Sequence, residues 1–143
     1  MLIINTAAPD KITIILAEGK VPEAKAEIKT AYAHVQAEKL LPAIDQLLKK
    51  SKKGLGDLSG IAAVVGPGSF SSLRIGAIAA NTLAFARKIP VAGVKLAEFG
   101  TAEELIAVAG QKLSHAKPGG FISPFYGQEP NITKPKKRKD IKI

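Results

Sequence analysis

The densest chemical signal in the chain is Gly66-Pro67-Gly68-Ser69-Phe70-Ser71-Ser72. It follows a continuous apolar run, Ile61-Ala62-Ala63-Val64-Val65, and leads into a helical pattern that starts at Leu73. A strand that feeds a glycine-rich turn into a helix N-terminus is an arrangement that cradles phosphates, because unpaired N–H groups and the positive end of the helix dipole converge there. The spacing completes neither nucleotide fingerprint. A P-loop needs a lysine at the helix start, and none is present; the dinucleotide pattern needs a third glycine where Ser71 stands. The other reading is a tight turn whose glycines supply positive φ and let a helix pack closely. These residues alone leave both open.

Other chemistries are poorly supplied. There is no cysteine, which excludes disulfides, a thiolate nucleophile and thiolate metal sites. His34 and His115 are too far apart for a helical pair of metal ligands, so no metal site is expected in this chain. The aspartates before the loop are Asp10, Asp45 and Asp57, and a hydrolase would need one of them to hold magnesium beside it. The opening run Leu2-Ile3-Ile4 is shorter than a secretory core, and the apolar stretch from Ile75 to Ala80 is broken by Asn81 and Thr82. A cytoplasmic chain with no membrane partner is expected. Of the formal charge of +9, a net +5 comes from Lys134, Lys136, Lys137, Arg138, Lys139 and Lys142 against Asp140. Such a tail is a solvated end or a set of phosphate contacts, and it carries no base-reading information.

The elements that must position the loop follow from periodicity. Leu2 to Thr6 and Lys11 to Leu16 read as strands joined by Ala7-Ala8-Pro9-Asp10, a hairpin turn. Residues 24–32 alternate charged with small or apolar side chains, as a half-exposed strand does. Leu40, Leu41, Ile44, Leu47 and Leu48 then recur at helical spacing, with Pro42 inside the pattern as a kink or a break. The run 61–65 predicts a central strand covered on both faces. A helix over 73–88 follows, with Ser71 or Ser72 as its cap. A short strand over 90–94 and a helix from Thr101 complete the order, with Glu104 as the second half of a capping box. Three strands, a helix, then strand, helix, strand, helix predict a mixed α/β sheet of the ribonuclease-H-like kind over residues 1–113. Residues 114–143 are left as an extended appendage.

The stretch from Gly66 to Gly76, with Arg74 and Ile75 before its last glycine, resembles the G-P-G-S-F-T-G-x-R-I-G signature of the TsaB (YeaZ) family. The resemblance extends upstream to His34 and Leu40-Leu41-Pro42, and downstream to Tyr126, Glu129-Pro130, Ile132-Thr133 and Lys134. It implies an ASKHA-type (actin-like) half-fold and a non-catalytic role: the dimerisation subunit of the bacterial tRNA threonylcarbamoyladenosine synthase complex. The resemblance also implies that ATP and metal sit on partner subunits, a TsaD-like protein and an ATPase subunit, with tRNA touched indirectly, and the basic tail Lys134 to Lys142 is the part of this chain expected to reach it. ASKHA enzymes use an aspartate on the first strand to hold a metal–nucleotide, and Asn5 stands there, which offers no full charge. Two departures stand out. The second, smaller lobe usual in the family is largely missing, and Ser72 replaces a motif glycine.

Partner contact, with a TsaD-like subunit or a second copy, is expected on the two helices over 35–48 and 73–85. The residues expected to carry it are Val35, Leu41, Leu48, Leu73, Gly76, Ala77, Ala80 and Ala84, because small residues let another helix approach closely. On this reading Ala80→Glu would break binding and spare the fold. The rival reading is a nucleotide-binding ASKHA-type phosphotransferase or hydrolase acting through the loop from Gly66 to Ser72, with Gly66, Pro67, Gly68, Ser69, Phe70, Arg74 and Gly76 as the motif residues.

Overall fold

The computed structural model describes residues 1–31 and 33–126, with nothing said of the side chains of residues 33 and 34. Strands β1 (Leu2–Asn5), β2 (Lys11–Glu18) and β3 (Val21–Lys29) come first, then helix α1 (Ala33–Lys50), strand β4 (Ile61–Gly66) and helix α2 (Phe70–Arg87). Strand β5 (Val91–Lys95) and helix α3 (Ala102–His115) follow. The sheet order is β3-β2-β1-β4-β5. β1–β2 and β2–β3 are antiparallel, whereas β1–β4 and β4–β5 are parallel. This is the ribonuclease-H-like α/β sheet that the order of elements predicts.

Register decides which side chains each layer receives. Ile3 faces Ile15, and Leu2 lies opposite Leu16 on β2 and Ile61 on β4. Because side chains alternate along a strand, one face collects Leu2, Ile4, Ile12, Ile14, Leu16, Ile61 and Ala63 beneath α1 and α2. The other face collects Ile3, Ile15, Ala17, Ala62 and Val64 beneath α3, which contributes Leu105, Ile106 and Ala109. All six residues of β4 are buried, as a parallel strand with both faces covered requires. At the sheet's edge, β3 leaves Lys25, Glu27 and Lys29 in water while Ala24, Ala26 and Ile28 pack inward.

Several boundaries differ from the sequence reading for local reasons. β3 begins at Val21, three residues before the alternation becomes legible, because the Gly19 turn at φ +59° returns the chain directly onto β2. α1 runs through Pro42, which sits on its exposed side. α2 begins at Phe70 with Ser69 at the N-cap position, so neither Ser71 nor Ser72 caps it; the Ser72 side chain is fully buried. The Thr101 cap is as expected, with its Oγ1 accepting from Glu104 N at 3.1 Å. The Glu104 carboxylate instead accepts from Gly100 N, so the reciprocal half of the box is displaced by one residue.

The larger correction concerns α2. Leu73 and the small residues of α2 face inward, so Leu73, Gly76, Ala77, Ala80 and Ala84 are buried inside this chain and are not available to a partner. Leu48 of α1 is likewise buried. A helix approaches a sheet closely only through small side chains, and the bulky residues of α2 were therefore left outside: Ile78 is 59% and Phe85 81% exposed. Ala80→Glu should accordingly unfold the protein rather than dissociate it. An unpaired carboxylate forced into this layer costs on the order of 3 kcal/mol or more. Ala86→Glu on the exposed side of the same helix should stay within about 0.5 kcal/mol of the parent in urea denaturation. Equal midpoints for the two variants would mean that α2 is turned the other way.

Candidate functional site

The glycine-rich loop lies at the C-terminal ends of β1, β4 and β5, where the N-terminus of α2 meets the β1–β2 turn. Each glycine makes room for a group of this same chain. A Cβ at Gly68 would stand 2.6 Å from Ala7 O, and one at Gly76 would stand 2.5 Å from Thr6 Oγ1. Gly66 has φ +126°, and a Cβ there would stand 2.1 Å from Phe125 O and 2.8 Å from Leu73 Cδ1. The backbone follows the same logic. Ser69 N donates to Ala7 O at 3.2 Å, and the buried Thr6 hydroxyl donates to Ser72 O at 2.6 Å. The missing Cβ atoms of the loop glycines thus make room for the β1–β2 turn and for the segment after α3.

That segment is the part of the chain that the sequence reading left unplaced. Of the appendage, Ser114 and His115 are the last residues of α3, and residues 116–126 return along α2. Asn81 brackets the backbone of Ile122 with two bonds of 2.8 Å, its Nδ2 donating to Ile122 O and its Oδ1 accepting from Ile122 N. Phe125 N donates to Val65 O at 2.7 Å. Tyr126 stacks on Phe70 with ring centroids 4.6 Å apart and planes at 19°. Asn81 and Thr6 are structural residues that motif reading missed. Asn81 looked like the polar interruption of an apolar helix, and only its distance from the chain's end to Ile122 conceals what it binds. Gln36 was also missed: its side chain is buried in α1, and Nε2 donates to Ala8 O at 2.7 Å, tying α1 to the same turn.

The residues proposed for chemistry are spent or dispersed. Asn5 Oδ1 accepts from Ala7 N at 3.0 Å, which closes the turn after β1. Asp45 pairs with Lys49 on α1, and Asp57 Oδ2 accepts from Gly54 N. Asp10 is exposed at the hairpin turn. Among the described residues, no three His, Asp or Glu side chains gather as metal ligands would. His115 is exposed at the end of α3, with Nδ1 2.9 Å from Gln111 O. The His34 side chain, residues 129–134 of the terminal resemblance and the basic tail lie outside the described residues.

Beyond β5, the carboxylate of Glu98 is held below the ordinary carboxylate range, first by the Lys112 ammonium at 2.8 Å and then by the Lys95 backbone N–H at 3.0 Å. Lys112 also donates to Gly93 O at 3.2 Å, so the pair fastens α3 to β5. Because the pKa is lowered on folding, this contribution is present above the ordinary value and lost as pH falls through the lowered one.

A different surface has the character of a contact site. Ala37, Leu40, Leu41, Ile75, Ile78, Ala79, Thr82 and Leu83 line an open groove of about 310 Å³ between α1 and α2, almost wholly apolar. Leu41 is 54% exposed at its rim, and Val35 is half-buried in the first turn of α1. Of the eight residues expected at a partner contact, Val35 and Leu41 therefore remain accessible. No helix among the described residues is long and apolar enough to cross a membrane.

Comparison with known proteins adds a family. The family model described as TsaD: tRNA N6-adenosine threonylcarbamoyltransferase matches residues 20–122. The tRNA threonylcarbamoyladenosine biosynthesis protein TsaB of Haemophilus influenzae is 37% identical over 67 residues, covering 47% of this chain and 28% of that protein. The tRNA N6-adenosine threonylcarbamoyltransferase of Desulfitobacterium hafniense is 43% identical over 51 residues, covering 36% of this chain and 15% of that protein. The solved structure of YeaZ from Pseudomonas aeruginosa superposes with a TM-score of 0.58 at 26% identity, over 66% of this chain and 42% of that one. The chain thus spans less than a third of the length of these curated relatives.

Two measurements test the site as drawn. Gly68→Ala should lower stability by roughly 1 to 3 kcal/mol, since the added methyl meets a backbone carbonyl that cannot yield easily. Gly54→Ala, where the nearest atom is 3.9 Å away, should be neutral or stabilising by about 0.4 to 1 kcal/mol. A glycine kept open for a ligand would instead tolerate the methyl without loss. Glu98→Gln should cost less than about 1 kcal/mol at neutral pH, a partly exposed pair being well screened. Its deficit against the parent should vanish as pH is lowered through the Glu98 titration.

Proposed function

Because the chain belongs to the TsaD family as a TsaB/YeaZ-like member of partial length, we propose that it is a non-catalytic subunit that docks and supports a TsaD-like partner in threonylcarbamoylation of tRNA adenosine. The observation that carries the docking role is the apolar groove between α1 and α2. Leu41, Ile78 and Phe85 leave an apolar surface on two adjacent helices that no other part of the described residues covers. A soluble domain rarely leaves such a continuous strip in water unless another protein covers it. The contact therefore uses the outer residues of the helices anticipated from sequence, with the small residues serving the core.

The loop supports the non-catalytic half of the reading. Its glycines are filled by Ala7 O, Thr6 Oγ1 and Phe125 O, and Asn5 spends its side-chain oxygen on Ala7 N. Nucleotide and metal then belong to the partner subunits, the TsaD-like protein and an ATPase subunit. A second copy of this chain could occupy the same groove, in competition with the TsaD-like partner.

Mixing experiments with the cognate TsaD-like protein, read by light scattering after size exclusion, should show a heteromeric complex. Leu41→Glu and Ile78→Glu should each weaken it at least tenfold, about 1.4 kcal/mol, while leaving the urea midpoint unchanged. Ser69→Ala should leave reconstituted tRNA modification within about tenfold, a barrier change of at most roughly 1.4 kcal/mol. Retained binding by both groove variants would sink the docking role. Loss of modification in Ser69→Ala with assembly intact, or phosphate release from ATP by the isolated chain, would favour an enzymatic loop.

A further inference from the structure

β3 stands at one end of the strand order, so among the described residues no strand lies along its outer side. Register shows which backbone groups face that side. Thr30 N donates to Asp10 O at 2.8 Å, one step beyond the pair of Lys29 with Lys11. In an antiparallel ladder, successive residues point their N–H and C=O groups alternately toward the neighbouring strand and away from it. Ile28, Ala26 and Ala24 therefore bond β2, like Thr30, while Lys29, Glu27 and Lys25 direct their backbone groups outward. The far side of β2 agrees. Ala17 N donates to Met1 O, so the odd-numbered residues of β2 serve β1 and leave Ile12, Ile14 and Leu16 to β3. Glu23, between Pro22 and Ala24, has no partner on β2 and is the extra residue of a β-bulge.

The exposed side chains of this edge alternate in sign: Glu23, Lys25, Glu27, Lys29. Such a row is complementary to its own reverse. We infer that the outer edge of β3 is a contact between two copies of this chain, paired antiparallel about a two-fold axis through Ala26. Lys25 then lies opposite the partner's Glu27, Glu27 opposite the partner's Lys25, and Lys29 opposite the partner's Glu23. Lys25 and Glu27 are the residues whose backbone groups face outward, so their two pairs supply about four inter-strand hydrogen bonds. Other registers fail. Sliding by two residues sets Lys25 against the partner's Lys25, or Glu27 against the partner's Glu27, and like charges directly opposite are destabilising. Sliding by one turns the bonding groups away from each other. On the α1 side, Ala26 meets the partner's Ala26 and Ala24 meets the partner's Ile28, which extends the apolar layer across the seam. Within one copy Lys25 pairs with Glu27 at 3.1 Å and Glu23 with Lys53, and such solvent-accessible pairs are weak enough to exchange partners. Charges on an edge strand ordinarily keep other strands away, and here the pattern admits its own copy alone. The contact is isologous and closes at two copies. It does not use the groove between α1 and α2 and does not rest on the docking role drawn for it, so the isolated full chain tests it.

Sedimentation velocity of the full chain over a concentration series should show a reversible monomer–dimer equilibrium. Lys25→Glu and Glu27→Lys each set like charges opposite one another twice across the axis, and each should weaken the dimer at least about tenfold with the circular dichroism melt unchanged. The double variant Lys25→Glu/Glu27→Lys restores opposite signs at both pairs and should dimerise as the parent does. The two single variants, each monomeric alone, should form a heterodimer when mixed, because their altered rows are complementary to each other. Amide exchange resolved by residue gives a backbone readout. The amides of Lys25 and Glu27 should exchange freely in dilute monomer and be protected in the dimer, while those of Ala24, Ala26 and Ile28 are protected in both. Should a single variant fail to fold, this pattern in the unaltered chain decides. A chain that stays monomeric up to about 1 mM overturns the inference, as does a dimer in which the Lys25 and Glu27 amides still exchange freely. A dimer lost in Leu41→Glu but kept in both folded β3 variants puts the second copy in the groove, which likewise overturns it.

Discussion

Close approach of α2 to the β1–β2 turn is the constraint on which the rest of the molecule depends. Gly68 lets Ala7 O reach the loop, and Gly76 lets the Thr6 hydroxyl reach the helix and donate to Ser72 O. Were α2 held further out by ordinary side chains, Thr6 would be a buried hydroxyl without a partner, a situation that costs about 1 to 3 kcal/mol. Ala80 and Ala84 would then no longer seat against Leu2, Ile4 and Ile61. Gln36 repeats the device from α1, with its amide bonded to Ala8 O, so both helices are referred to one turn. The parallel half of the sheet and its two covering helices are thereby locked to the hairpin half.

This constraint accounts for the glycines of the most suggestive motif in the sequence without a ligand. Glycines at a strand–loop–helix junction have two uses, admitting a ligand or admitting backbone, and the sequence cannot distinguish them because both need the same missing Cβ. The distinction lies in what arrives from elsewhere in the chain. Here Ala7 comes from sixty residues upstream and Phe125 from sixty residues downstream, and neither contact leaves a local pattern. Asn81 is the same case. Its amide holds Ile122 at a sequence separation of 41, so the segment that periodicity left as an appendage is in fact fastened to the domain.

What was legible in the sequence is what depends on neighbours in sequence. The alternation in β3 from Ala24, the continuous apolar run of β4, the Thr101 cap and the helical spacing of Leu40, Ile44, Leu47 and Leu48 each reappear in the structure, and the strand order follows from the succession of elements. The orientation of α2 was not legible. Its apolar and small residues run nearly all round, so the usual contrast between a wet and a dry face is absent. Size decided the orientation where polarity could not. The sheet took the glycine and alanines because only they permit contact at that distance, and Ile78 and Phe85 were left on the outer side.

The same inversion of size leaves the bulky residues of the helices outside. Along α1 and α2 these residues are aliphatic or isolated aromatic, and they line a groove without charge. At the loop end the outer residues are used by the chain itself: Phe70 stacks on Tyr126 with the Arg74 guanidinium over its ring, and Lys95 lies over Phe125. Rings and cations there cover one another, and with the two bonds from Asn81 to Ile122 and the bond from Phe125 N to Val65 O they hold the segment after α3 to the loop. Backbone packing through the glycines and side-chain packing outside them thus fix the same junction from both sides.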